Sequence, residues 1–342
     1  MQNKDRIERE HIETYSIGVD IGGTKCAVVL GKGEFPEGDM AGFLIDRVAF
    51  LTEVEKGPEY ALERIQKAIR ELLVRNKVSQ NQVIGIGISC GSPLDHQKGV
   101  ILNPPNLYGW NSIPIVKILE EAYGIPAFLQ NDANAGALAE WYFGAARGYK
   151  NAIFLTCGTG MGAGLILNGH LYNGTNDLAG EIGHIRMTDE GPVGYGKAGS
   201  YEGYCSGGGI AQIARTKVME YLQTSRKTSL CADISGLSKL TAKFVAEEAY
   251  KGDELAREVY RTSGYYMGRG MAILIDILNP EIIVIGGIFE RSKDLLLESI
   301  KKAIRQEALA ASVSRCRIVP AMLGDKIGDY AALSVAIWKN CF

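Results

Sequence analysis

The sequence predicts two α/β domains, and three observations predict them. A glycine-bearing hairpin opens each half, one turning at Gly22 and Gly23 and the other at residues 158–164. Between and after these hairpins, short apolar runs alternate with longer amphipathic segments, the pattern of strands joined through helices. A chain of 342 residues also has material for two cores.

Residues 1–16, MQNKDRIEREHIETYS, are charged, lack the apolar centre of a signal peptide and read as a frayed lead-in. Residues 17–31, IGVDIGGTKCAVVLG, carry an apolar run up to Asp20, a turn through Gly22, Gly23, Thr24 and Lys25, and a second apolar run. Glycine in such a turn allows positive φ or close backbone approach, and its exposed amides can cradle phosphate. A carboxylate at the strand end can hold a metal ion or its waters. The bland reading is an ordinary Gly-Gly hairpin; glycine clusters recurring near Gly158 and Gly286, each after a strand-like run, weigh against it.

Residues 32–40 read as a polar loop and 42–50 as a third strand. Over 58–74, Ala61, Leu62, Ile65, Ala68, Ile69, Leu72 and Leu73 recur at helical spacing and make one apolar face. Residues 83–88 form a short strand that ends in a turn over 89–93. The loop 102–112, LNPPNLYGWNS, is stiffened by two prolines; it is a surface connection or a substrate loop offering Asn103 or Asn106 to hydroxyls. A helix over 113–123 and a strand over 127–130 follow. That strand runs into Asn131 and Asp132. Asp132 either caps the next helix or, at a strand end meeting a helix start, faces a ligand crevice.

The second half begins with a strand over 152–157, the glycine turn 158–164 and a strand over 165–167. Helices are expected over 208–222, 241–250 and 253–278, the last stopped by Pro280. A strand over 281–285 ends in Gly286 and Gly287; a helix (293–307), a strand (317–323) and a helix (328–338) close the sequence.

A net charge of −2 supplies no basic field for nucleic acid, and no apolar run nears the length needed to span a bilayer. The seven cysteines are scattered without a CxxC pair, which fits a reducing cytoplasm. Two nucleotide fingerprints nearly match and fail. GTGMGAG is followed by strand-like residues instead of a helix start, and GPVGYGK has Ala198 where a P-loop needs a magnesium-ligating hydroxyl. Glu181 and His184 stand three apart between glycines, with Glu202 further on; carboxylates and an imidazole together suit a polyhydroxylated ligand. Read alone, they are a surface pair and a satisfied histidine.

Taken in order, IGVDIGGTK, LQNDANAGALAE, CGTGMGAGLILNG and GEIGH resemble the ROK family of sugar kinases and sugar-responsive repressors, over residues 15–338. The resemblance implies a two-domain, actin-like and hexokinase-like ATPase fold of ribonuclease H-like domains. These would be residues 1–130, with 328–342 packing back on them, and residues 131–327. It implies an ATP- and magnesium-dependent kinase that moves the γ-phosphate to a hexose hydroxyl, the 6-OH of glucose or a related sugar. Asp132 then matches the catalytic base. Asp20 matches the carboxylate near magnesium, acting through water, and Gly22, Gly23, Thr24 and Lys25 match the first phosphate loop. Gly158, Thr159 and Gly160 match the second, while Gly286 and Gly287 fall on the adenosine side. Asn106, Asn131, Glu181, His184 and Glu202, with Asp132, match sugar contacts.

Many members carry a zinc site built from the histidine of the GH pair and three cysteines. At the cysteine positions this chain has Val193, Tyr195 and Ser200, so no zinc site is expected, and packing around Tyr195 and Tyr201 is left to hold the loop. The alternatives are an N-acetylmannosamine kinase or a non-catalytic sugar-sensing regulator. Residues 1–16 are too few for the helix-turn-helix module of the family's repressors, so an enzyme is expected. Its partners would be a hexose or N-acetylhexosamine and a second copy of the chain, in a cytoplasmic homodimer without nucleic acid or membrane.

Overall fold

In the computed structural model, residues 13–35, 40 and 42–340 are described. The lead-in over 1–12, part of the polar loop (36–39) and the end of the closing segment (341–342) lie outside the described residues. The chain divides into two units. One runs up to Ala135 and resumes at Gly328; the other is Gly136–Ile327.

The first unit is built on β1 (Tyr15–Ile21), β2 (Lys25–Lys32) and β3 (Leu44–Leu51), an antiparallel meander. The six central residues of β2 are all buried, whereas β3 alternates as an edge strand does. Helix α1 (Gly57–Arg75) takes Pro58 in its first turn and buries Ala61, Ile65, Ala68, Ile69, Leu72 and Leu73, the face that the periodicity predicts. Then come β4 (Val83–Cys90), a small hairpin of β5 (Leu94–Asp95) and β6 (Val100–Ile101), α2 (Ile115–Tyr123), β7 (Ala127–Asn131) and α3 (Asp132–Tyr142). The sheet order is β3-β2-β1-β4-β7, with β4 and β7 parallel to β1.

The second unit repeats this plan. β8 (Ala152–Cys157), β9 (Met161–Leu167) and β10 (His170–Leu171) form the meander. A two-residue-strand hairpin, β11 (Val193–Gly194) and β12 (Lys197–Ala198), leads into α4 (Tyr201–Cys205), α5 (Gly207–Gln223), α6 (Ala242–Lys251) and α7 (Glu254–Leu278). β13 (Ile282–Ile285), α8 (Ile288–Glu307), α9 (Ala310–Val313) and β14 (Arg317–Pro320) complete it, in sheet order β10-β9-β8-β13-β14. Each unit has its own apolar core, one around Ile17, Ile69 and Ile86, the other around Ile153, Met271 and Ile283.

Finally α10 (Ile327–Asn340) returns to the first sheet. It drops into a row of glycines on adjacent strands. A methyl at Gly18 would lie 2.9 Å from the Leu333 nitrogen, and one at Gly87 would strike the Ala332 carbonyl and the Ala336 nitrogen. Among the described residues no helix is long and apolar enough to cross a membrane.

Several expected boundaries move for local reasons. Cys157 pairs with Met161, so only residues 158–160 turn and residues 161–164 belong to β9. Helix α8 starts five residues earlier than its periodicity suggests, because Glu290 accepts the Gly287 N–H at 2.6 Å and the non-helical Ser292 kinks the first turns. Extended backbone at Ser206 splits α4 from α5, and β14 stops at Pro320, three residues short of the expected strand end.

Candidate active site

In the first unit Asp20 is flanked by Ala27 of β2 and Ser89 of β4. The Ser89 hydroxyl donates to its carboxylate. Gly328, in the first turn of α10, is so near that a methyl there would come within 2.5 Å of Asp20 Oδ2. Burial pushes the Asp20 carboxyl up to about 6. The charges of Asp132 and Asp329 add to the rise, while Ser89 and the Lys25 ammonium oppose it. Arg47 of β3 grips Asp329, its Nε lying 3.0 and 2.9 Å from the two carboxylate oxygens.

Past β1 the Gly22 N–H donates to the Lys25 carbonyl at 3.1 Å, and Thr24 and Lys25 are exposed. Gly23 meets Asn106: a methyl would come within 2.5 Å of the Asn106 carbonyl, so glycine is what lets the proline-rich loop touch this turn.

Asp132 is the first residue of α3. Asn131 is the cap of that helix, its Oδ1 accepting the Asn134 N–H at 2.8 Å. Asp132 is therefore released from capping, the first of the two roles that its position allows. Its Oδ1 accepts the neighbouring Ala133 N–H at 2.8 Å, and one face of the residue is open to solvent. Protein packed around the rest raises its carboxyl, against the lowering pull of that N–H. Asn131, 4% exposed, spends its Oδ1 on the cap.

In the second unit the Gly158 N–H donates to the Gly160 carbonyl at 3.0 Å, closing a turn that exposes Thr159. The Gly158 carbonyl accepts the Gly207 N–H at 2.9 Å, which sets the start of α5 against the turn. Gly286 bonds its N–H to the Leu155 carbonyl at 2.9 Å. Gly287, with φ +71°, lies so near the Cys157 carbonyl that any side chain would strike it. Residues 158–160 and 286–287 thus meet where α5 and α8 begin, and helix N-termini favour anions.

Glu202 flanks the same turn, its Oε2 accepting the Met161 N–H at 3.0 Å. Glu181 and His184 are exposed around a single 3-10 turn, the His184 N–H reaching the Glu181 carbonyl at 3.2 Å. Between them a methyl at Gly183 would touch the Glu202 stem at 3.3 Å, so the middle of this 3-10 turn packs beside Glu202. The loop before Glu202 is held by protein groups. Val193 bonds the Gln212 amide through its N–H and its carbonyl, Ser200 caps α4, and the buried Tyr201 hydroxyl donates to the Met267 carbonyl at 2.8 Å. Tyr195 does not share that packing. It is 74% exposed, because it and Gly196 form the positive-φ tip between β11 and β12; its ring meets the edge of His184, at 6.4 Å.

Sequence reading passed over Thr52, Ser89, Arg47 and Asp329. Thr52 and Ser89 look like ordinary strand-end residues, and the Arg47–Asp329 pair joins positions far apart in the chain. Their register against Asp20 and its turn gives them meaning.

The ROK family model matches residues 16–338. A glucokinase of Halalkalibacterium halodurans is 35% identical over 320 residues, covering 92% of this chain and 93% of its own. The xylose repressor of Bacillus spizizenii is 26% identical, covering 94% of this chain and 77% of its own. Among solved structures, a ROK family glucokinase from Streptomyces griseus in complex with glucose and AMPPNP superposes with a TM-score of 0.71 at 28% identity. It covers 93% of this chain and 98% of that one. The fold is the actin-like ATPase fold.

Proposed function

The chain belongs to the ROK family, and on that premise we propose that it is an ATP-dependent sugar kinase acting on glucose or a related hexose. The observation that carries the reading is Asp132: a carboxylate at a helix start, relieved of capping by Asn131, open to solvent on one face and raised by burial. A base so placed takes the proton of a sugar hydroxyl as its oxygen attacks the γ-phosphorus and ADP leaves. Asn106, Asn131, Glu181, His184 and Glu202 are assigned to the sugar hydroxyls. Gly22, Gly23, Thr24, Lys25, Gly158, Thr159 and Gly160 are assigned to the phosphates, and Gly286 and Gly287 to the adenosine side.

Magnesium fits at Asp20, held through water, since its carboxylate offers the hard oxygen that the ion prefers and feels the like charge of Asp132 beside it. When bound, it neutralises charge on the phosphates. The proposal includes no zinc site, because Val193, Tyr195 and Ser200 supply no thiolate.

A coupled assay of ATP consumption across hexoses and N-acetylhexosamines tests the reading. Asp132→Asn should lower kcat about 10²- to 10⁴-fold on the best sugar. Sugar binding by calorimetry and the melting temperature should hold, since Asn131 keeps the cap. A variant with near-wild-type kcat removes Asp132 as base. The repressor relative favours a second reading, a sugar-sensing regulator; sugar binding without turnover on any sugar would select it.

A further inference from the structure

We infer that Thr52 is a positioning residue for the first phosphate turn, fixing the peptide between Gly22 and Gly23 so that its N–H faces the nucleotide; this rests on the kinase reading. Thr52 lies just past β3 and is 1% exposed. Its hydroxyl donates to the Gly22 carbonyl at 2.6 Å, and its N–H donates to the Thr24 carbonyl at 3.0 Å. The Cys26 thiol lies 3.4 Å from the same hydroxyl oxygen. The one hydroxyl hydrogen goes to Gly22, so the thiol is the donor there. A single buried residue thus anchors the turn at two of its carbonyls, Gly22 through the side chain and Thr24 through the backbone.

A trans peptide sets its C=O and N–H on opposite sides. Drawing the Gly22 carbonyl inward therefore turns the Gly23 N–H outward. Among the described residues the Gly23 and Thr24 N–H groups have no protein acceptor, which leaves both for a phosphate. Glycine on both sides of the peptide offers little steric resistance to its reversal. The Thr52 hydroxyl supplies that resistance. Without it, the peptide can turn a carbonyl oxygen toward the phosphates and repel them.

The test compares Thr52→Val, which keeps the shape and loses the donor, with Thr52→Ser, which keeps the donor. Calorimetric Kd for a non-hydrolysable ATP analogue is read beside KM for ATP, KM for sugar, kcat and melting temperature. Thr52→Val should raise the analogue Kd and the ATP KM about tenfold, the effect of one oriented hydrogen bond, with sugar KM unchanged. Thr52→Ser should stay within about twofold of wild type by the same reasoning. A merely structural threonine would instead lower the melting temperature or the active fraction and leave Kd and ATP KM alone, which overturns the proposal. Should the valine variant not fold, Thr52→Ala against Thr52→Ser gives the same comparison, and equal analogue binding by the two overturns it. Wild-type protein that binds no analogue removes the kinase reading and this role together; wild-type binding that Thr52→Val leaves untouched removes this role alone.

Discussion

Asp20 is a residue whose environment works against its charge. Its carboxyl rises from an ordinary 3.8 to about 6, so the folded protein holds the proton more tightly than the unfolded chain does. The sign follows: ionised Asp20 costs stability above pH 6, the cost shrinks between pH 6 and 4, and it is gone below 4. Asp20→Asn, whose amide oxygen can still accept from Ser89, should stabilise the ligand-free protein at pH 8 by on the order of 1–3 kcal/mol. Urea unfolding at pH 8, 6 and 4 checks this. A gain that stays constant across that range would mean that the benefit is not electrostatic. Asp20 and Asp132 were both legible as strand-end carboxylates. Which of Asn131 and Asp132 caps α3 was not legible, because both residue types cap well and only backbone geometry decides between them. Ser89 and Thr52 were invisible for a related reason: a hydroxyl acquires a role from what the strand register sets opposite it.

Among the elements, helices with a continuous apolar face were readable almost to the residue, as α1, α6 and α7 show. Helix α8 was not. Its first turn carries no clean periodicity, and Ser292 interrupts the helical backbone just before the periodic stretch begins. What starts it is Gly287, at φ +71° and ψ −119°, a conformation for glycine alone. Gly287→Ala should therefore destabilise the protein by about 2–4 kcal/mol, combining backbone strain with a strike on the Cys157 carbonyl. Denaturant unfolding measures it. A loss below 0.5 kcal/mol, on the order of an ordinary surface substitution, would mean that the β13–α8 junction shifts freely. The glycines at 162 and 164 misled for the opposite reason: they read as loop, but a tight hairpin register draws them into β9.

At the scale of the molecule, the two units share one strand order although no repeat is visible in the sequence. The plan is carried by a meander followed by two parallel crossovers, and many side chains satisfy that plan. Each unit has its own core, but the first is completed only by α10, which fills the row at Gly18, Gly31 and Gly87. Ending the chain after Ile327 should leave the core of Gly136–Ile327 protected while β1, β2 and β4 lose protection, as read by hydrogen exchange. Equal protection of both sheets in the shortened chain would refute this. The same closure has a consequence for biosynthesis. Domains commonly fold in the order in which they leave the ribosome, N-terminal first. Here the first sheet emerges and must wait, its glycine row bare, while all of Gly136–Ile327 is translated. The contiguous unit can mature during that interval; the one holding Asp20 cannot. A nascent chain that stalls before Gly328 thus lacks the helix start that neighbours Asp20, and an unfinished copy carries that carboxylate on a sheet it cannot yet close.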